Sequence, residues 1–97
     1  MTIMREYHGN GKISNIYESP SQIITNLVLP AGEALPTHHA PYHVTVVSVK
    51  GETIFKGQDF EAHLEPGKLI QMTPDELHSL TAITDSELMV IKSKLAE

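Results

Sequence analysis

The chain has 97 residues and no cysteine, which allows one domain but not two and rules out disulfides, thiolate metal ligands and cysteine nucleophiles. Its formal net charge is −5 and Arg5 is its only arginine, so no basic stripe neutralises phosphates and nucleic acid is not an expected partner. The apolar runs at 27–29 and 44–47 are far too short to span a bilayer, and the N-terminus lacks the apolar stretch of a signal peptide. Together with the missing cysteines, this gives the expectation of a cytoplasmic protein with no membrane partner.

Residues 1–20 read as an N-terminal arm. His8-Gly9-Asn10-Gly11 and Ser19-Pro20-Ser21 are turn signals, and Ile13 with Ile16-Tyr17 predicts a short edge strand between them. Such an arm is expected to pack on a neighbouring subunit. Residues 21–97 read as the folded domain, and the pattern is β throughout. Residues 23–29 form an apolar, β-branched strand that stops at Pro30. The stretch from Pro30 to Pro41 is rich in turn residues and is predicted as a loop. Residues 43–49 form the next strand, ended by Lys50-Gly51. Residues 52–56 follow as a strand and Gly57-Gln58-Asp59 as a turn. Residues 60–64 alternate, with Phe60, Ala62 and Leu64 on one face and His63 facing solvent. Glu65-Pro66-Gly67 is a tight turn, 69–72 a short strand before Pro74, and 78–83 and 88–91 complete the set. No segment holds a helical period. Short strands at close spacing, separated by Gly and Pro, predict an all-β sandwich or closed barrel.

The chemistry concentrates in the histidines, of which there are six. His38, His39 and His43 lie together in Thr37-His38-His39-Ala40-Pro41-Tyr42-His43, and His78 follows the Pro74 turn. Neutral imidazole is the commonest borderline metal ligand, and converging nitrogens suit Zn, Ni, Mn, Fe or Cu. His38 and His78 each sit where a Pro-bounded loop meets a strand, the kind of place where a rigid scaffold carries its site. Glu33 and Glu52 are the carboxylates nearest this motif, and either is a candidate general base or a solvated turn residue. Ser48 and Ser79 lack the base and orienting group that a nucleophile needs.

At these residues the chain resembles the cupin family. Gly32 is followed by five residues and then His38, and Gly51 stands where the family's first motif closes. In the second motif Glu65-Pro66-Gly67 forms the opening turn, Pro74 matches the proline, and His78 lies eleven positions after Gly67. The resemblance covers about residues 22–92. It implies an all-β, single-domain cupin jelly roll, a double-stranded β-helix barrel, with a divalent metal among its histidines. The departures are specific. With both glycines held in place, Ala40 occupies the second histidine position and Val44 the acidic one. Lys68 replaces the aspartate after Gly67, and Ala82 stands at the usual asparagine. A shifted register uses His39 and His43, which are four apart. A third arrangement resembles a small-cupin pattern in which His43 takes the acidic position. A one-residue slip exchanges the faces of the strand, so the register decides whether Val44 and Val46 or His43 and Val47 line the interior. The metal-ligand candidates are therefore His38, His39, His43 and His78.

Two functions from different classes follow from the resemblance. One is a metal-dependent enzyme of dioxygenase, isomerase or lyase type acting on a small molecule, since a metal with few protein ligands keeps positions open. The other is a non-catalytic module that binds or senses a small molecule or metal, which the substituted ligand positions favour. The small size of the domain and the resemblance together imply a homodimer.

Overall fold

The protein is described from a computed structural model covering residues 5–38 and 40–94. Its strands are β1 (Ile13–Glu18), β2 (Gln22–Leu29), β3 (Ala34–His38), β4 (His43–Lys50), β5 (Thr53–Gly57), β6 (Glu61–Leu64), β7 (Leu69–Met72), β8 (His78–Ala82) and β9 (Ser86–Ser93). Among the described residues there is no helix, so none that could cross a membrane. All pairings are antiparallel. One sheet has the order β1-β2-β9-β4-β7 and the other β3-β8-β5-β6.

Alternation places the core between the sheets. Leu27, Leu29, Val44, Val46, Leu88 and Val90 face inward from the five-stranded sheet, and Phe55, Leu64, Leu80 and Ala82 from the four-stranded one. Burying a side chain of this kind contributes about 1.5–3 kcal/mol. The register is that of both glycines held in place: Val44 and Val46 are 4% and 1% exposed, while His43, Thr45 and Val47 alternate onto the other face of β4.

Two differences from the sequence reading have physical causes. Residues 34–38 form a strand inside the stretch expected to be a loop. Pro36 has no N–H to donate and is excluded from central strands, but β3 is an edge strand, and its register with β8 shifts between Leu35 and His38. A bulge at an edge is where a strand tolerates proline. Phe60 does not join the inner face of β6. It precedes the strand, is 55% exposed, and closes the hairpin by accepting the Gly57 N–H at its carbonyl (2.7 Å). Its ring meets Phe55 edge to face at 6.1 Å. The segment read as an arm contributes β1 to the five-stranded sheet of its own chain, paired with β2 around a bulge at Asn15–Tyr17.

The two ends of the barrel differ. At one end, short connections are tied together. The Ser86 hydroxyl donates to the carbonyls of Glu52 and Thr84 (3.0 and 2.8 Å), and the Ala31 N–H donates to Asp85 (2.8 Å). At the other end, β3 and β7 finish and β4 and β8 begin, which brings residues 40–42 and the 73–77 loop together near His78.

Candidate functional site

His78 is the first residue of β8 and is 6% exposed. The preceding turn is built from its own polar residues. The Thr73 N–H and hydroxyl both donate to one Glu76 carboxylate oxygen (2.6 and 2.7 Å). Asp75 takes a positive φ of 65°, a conformation that Asp accepts more readily than most residues. Its N–H donates to the Ala40 carbonyl (2.8 Å), which pins the 73–77 turn to the loop after β3. The Glu76 carboxyl is held below the ordinary carboxylate value, first by the Thr73 hydroxyl, then by the Thr73 N–H, with a smaller contribution from His78.

This turn also orients the imidazole. His78 Nδ1 lies 3.0 Å from the Glu76 carbonyl. A carbonyl only accepts, so Nδ1 carries the hydrogen and the lone pair of the neutral ring is on Nε2. The same arrangement orients many metal-ligating histidines. The ring stacks on Phe55 at 5.9 Å and 11°, and Phe55 is itself buried. Two clefts flank this stack. One, which His78 lines, measures about 320 Å³ and is lined chiefly by Thr25, Leu27, Leu35, Val46, Leu80 and Val90, with Ile13, Pro36 and Lys92 completing it. The other, about 580 Å³, lies on the Phe55 side between Phe60, Leu69, Ile70, Met72 and Leu77, with Gln71 and Glu76 among its polar residues.

The four histidines singled out from the sequence are distributed as follows. His38 and His78 are cross-strand partners in the β3–β8 register. His39 and the side chain of His38 lie outside the described residues. His43 begins β4 on the face away from Val44 and Val46 and lines a separate surface cleft with Gln71, Glu76 and Ser93. Ala40 packs on the core and Val44 belongs to it, so neither of these positions supplies a donor atom to the interior.

Among the described residues, one group of three side chains has the convergence that a metal needs, and it is elsewhere. Ligand atoms of Glu52, His63 and Glu65 lie within 4.8 Å of one another, with His63 Nε2 3.3 Å from a Glu52 oxygen. Alternation along β6 turns His63 outward, as the sequence reading has it, but that reading assigns it no neighbours. Folding the chain about the Gln58-Asp59 turn would have brought Glu52 alongside it.

Comparison with known proteins bears on the fold. No family model matches the chain, and no curated protein matches its sequence. Solved structures do match. An RmlC-like cupin family protein with a double-stranded β-helix fold from Methanocaldococcus jannaschii superposes with a TM-score of 0.82 at 21% identity, covering 95% of this chain and 92% of that one. An RmlC-like cupin from Shewanella frigidimarina gives 0.80 at 16% identity, with 95% and 86% covered. The DMSP lyase DddQ from Ruegeria pomeroyi gives 0.74 at 21% identity, over 81% of this chain and 41% of that one. With two facing antiparallel sheets and the match to double-stranded β-helix structures over most of its length, the chain is a small single-domain protein of the cupin fold.

Proposed function

We propose that this protein binds a small, mainly apolar organic molecule in the cleft beside His78, next to a divalent transition metal held by His78 and His38. The observation that carries this reading is His78 itself. It is a buried imidazole whose Nδ1 is committed to the Glu76 carbonyl, on the wall of a mainly apolar cleft of about 320 Å³. Small-molecule sites have this composition, an apolar lining with a few oriented polar groups. His38 is the cross-strand neighbour of His78 in the backbone register and is the sequence's candidate for the second ligand. A Zn, Ni, Mn, Fe or Cu ion with two protein nitrogens leaves positions for a ligand that carries a donor atom of its own, and it supplies Lewis acidity when bound. Leu27, Val46, Leu80 and Val90 shape the pocket and exclude water, and Lys92 in its lining favours a ligand with an anionic end.

Two functions share this site. The enzyme reading draws support from the fold, on which the name of the Ruegeria pomeroyi protein records a lyase. The non-catalytic binding reading draws support from Ala40 and Val44, which stand at two positions where a cupin centre would take ligands. Metal analysis of untagged protein tests the common part. One equivalent of bound metal that is lost in His78→Ala is the expected result, and equal metal in both proteins would overturn it. Turnover of an organic substrate by the metal-loaded protein, abolished in His78→Ala, would select the enzyme. A ligand-induced thermal shift without turnover would select the binding module.

The same reading takes the protein as a homodimer. Its support is the outer face of the five-stranded sheet, where Ile24, Val47, Met89 and Ile91 are half-buried and Leu69 is 54% exposed.

A further inference from the structure

We infer that Glu52, His63 and Glu65 form a second divalent-cation site, on the outer face of the four-stranded sheet and near the barrel end opposite His78. The placement follows from the β5–β6 hairpin. Thr53 pairs with Leu64 and Ile54 with His63, so Glu52 is carried opposite Glu65, and His63 lies diagonally across from Glu52 on the same face. His63 and Glu65 are two apart, which in an extended chain puts both on one side. Thr53 and Leu64, between them in the pattern, are buried and anchor both strands from below.

The backbone under the group is constrained. The Glu52 carbonyl accepts from the Ile83 and Thr84 N–H groups and from the Ser86 hydroxyl, and its N–H donates to the Thr84 hydroxyl. The Glu65 carbonyl accepts the Lys68 N–H across the Pro66-Gly67 turn (3.0 Å). The side chains nevertheless converge, with all three ligand atoms within 4.8 Å of one another. Two carboxylates facing each other across strands repel, and a cation between them reverses the sign of that interaction. The mixed donor set selects the ion. One imidazole nitrogen with two carboxylate oxygens suits Zn²⁺ and its neighbours, whereas Mg²⁺ and Ca²⁺ prefer all-oxygen shells. Three protein ligands leave a position for water. The site is shallow, with His63 and Glu52 side chains each 46% exposed, so its effect is to clamp the β5–β6 hairpin.

Zn²⁺ titration of the full untagged chain tests this, carried out in a His78→Ala background so that the barrel site does not contribute. One Zn²⁺ is expected to bind and to raise the thermal midpoint, as a ligand of the native state does. His63→Ala, Glu52→Gln and Glu65→Gln, each added to that background, are expected to weaken binding at least about tenfold, the lower end of what losing even an outer-shell partner costs. Glu61→Gln, the neighbouring carboxylate outside the group, leaves it unchanged. The inference is overturned if the background protein binds no Zn²⁺, or if His63→Ala binds it unchanged. It is equally overturned if His63→Ala weakens binding while both Glu→Gln changes do not, the signature of a lone adventitious histidine. None of these results bears on the metal content attributed to His78, which is read in the protein that retains it.

Discussion

The two sheets contribute similar inner faces and very different outer ones. Inward, both are built mainly from Leu, Val and Phe, with small or polar residues such as Thr25, Ser48, Ser86, Thr53 and Ala82 in the same alternation. Outward, the four-stranded sheet is polar apart from Ile54. Lys56, Glu61, His63, Ser79 and Thr81 alternate with the core residues, as expected of an antiparallel sheet with one solvated face. The five-stranded sheet does not follow this rule. In β9, Leu88 and Val90 face the core while Met89 and Ile91 face out, and Val47 and Ile24 extend the outer apolar strip across β4 and β2. The inner pattern is what a barrel requires. The outer pattern is not required by the barrel, and it separates a partly apolar outer face from a mainly polar one.

The largest expected effects test the shared inner pattern. Phe55→Ala should cost about 3–5 kcal/mol, because it opens a cavity in the core and removes the surface on which His78 stacks. Ile54→Ala, one residue away on the outer face, should cost about 1 kcal/mol or less. Urea midpoints at unchanged m-values compare them, and equal losses would contradict the inner and outer assignment. The connection between the sheets comes next. Gly51 has φ +78°, and a Cβ there would collide with the Asp85 carbonyl and Ser86, so Gly51→Ala should cost about 2–4 kcal/mol from strain and overpacking together. Gly67 has φ +97° with open space around it, and Gly67→Ala should cost only the left-handed backbone term, about 1–2 kcal/mol.

The outer faces are separated by charge. Val47→Lys or Met89→Lys should weaken self-association by about 2 kcal/mol or more, the range of interface hot spots, with little change in the unfolding midpoint of the isolated chain. Thr81→Lys on the other sheet should leave association unchanged. Light scattering across a dilution series reads both, and a wild-type chain that is monomeric throughout would remove the contrast. The smallest expected effect is at Glu76. Its carboxyl is held below its ordinary value of 4.5 by Thr73, so the ionised form favours the folded turn. That contribution is present above the ordinary carboxylate pKa and is lost as pH falls through the lowered one. Glu76→Gln should flatten this acid-side dependence of stability. Because His78 Nδ1 bonds to the Glu76 carbonyl, its imidazole resonances report the loosening of the turn in the same pH range.

Much of the fold is legible in the sequence. β-branched alternation and Gly/Pro punctuation locate β2, β4, β5, β7, β8 and β9 to within a few residues. β3 is not legible, because Pro36 signals a break unless the strand is known to lie at an edge, and edge position is a property of the assembled sheet. Phe60 misleads for a related reason. Its apolar side chain fits the alternation, but the hairpin turn takes it out of the strand. For the site, the spacing from Gly67 through Pro74 to His78 marks the head of β8. The carbonyl that orients its ring comes from a neighbour two residues away.

The sequence by itself determined an all-β domain, the order of most of its strands and the gathering of histidines where loops meet strands, because these depend on local pattern and short spacings. Only the tertiary structure decided which face of β4 turns inward, and so sent His43 outward and set Val44 in the core. It alone brought Glu52 to His63 and Glu65, and gave one sheet an apolar strip on its outer face as well as its inner one. Each of these depends on cross-strand register and sheet order, and a shift of one residue, invisible in composition or periodicity, exchanges every side chain between core and surface.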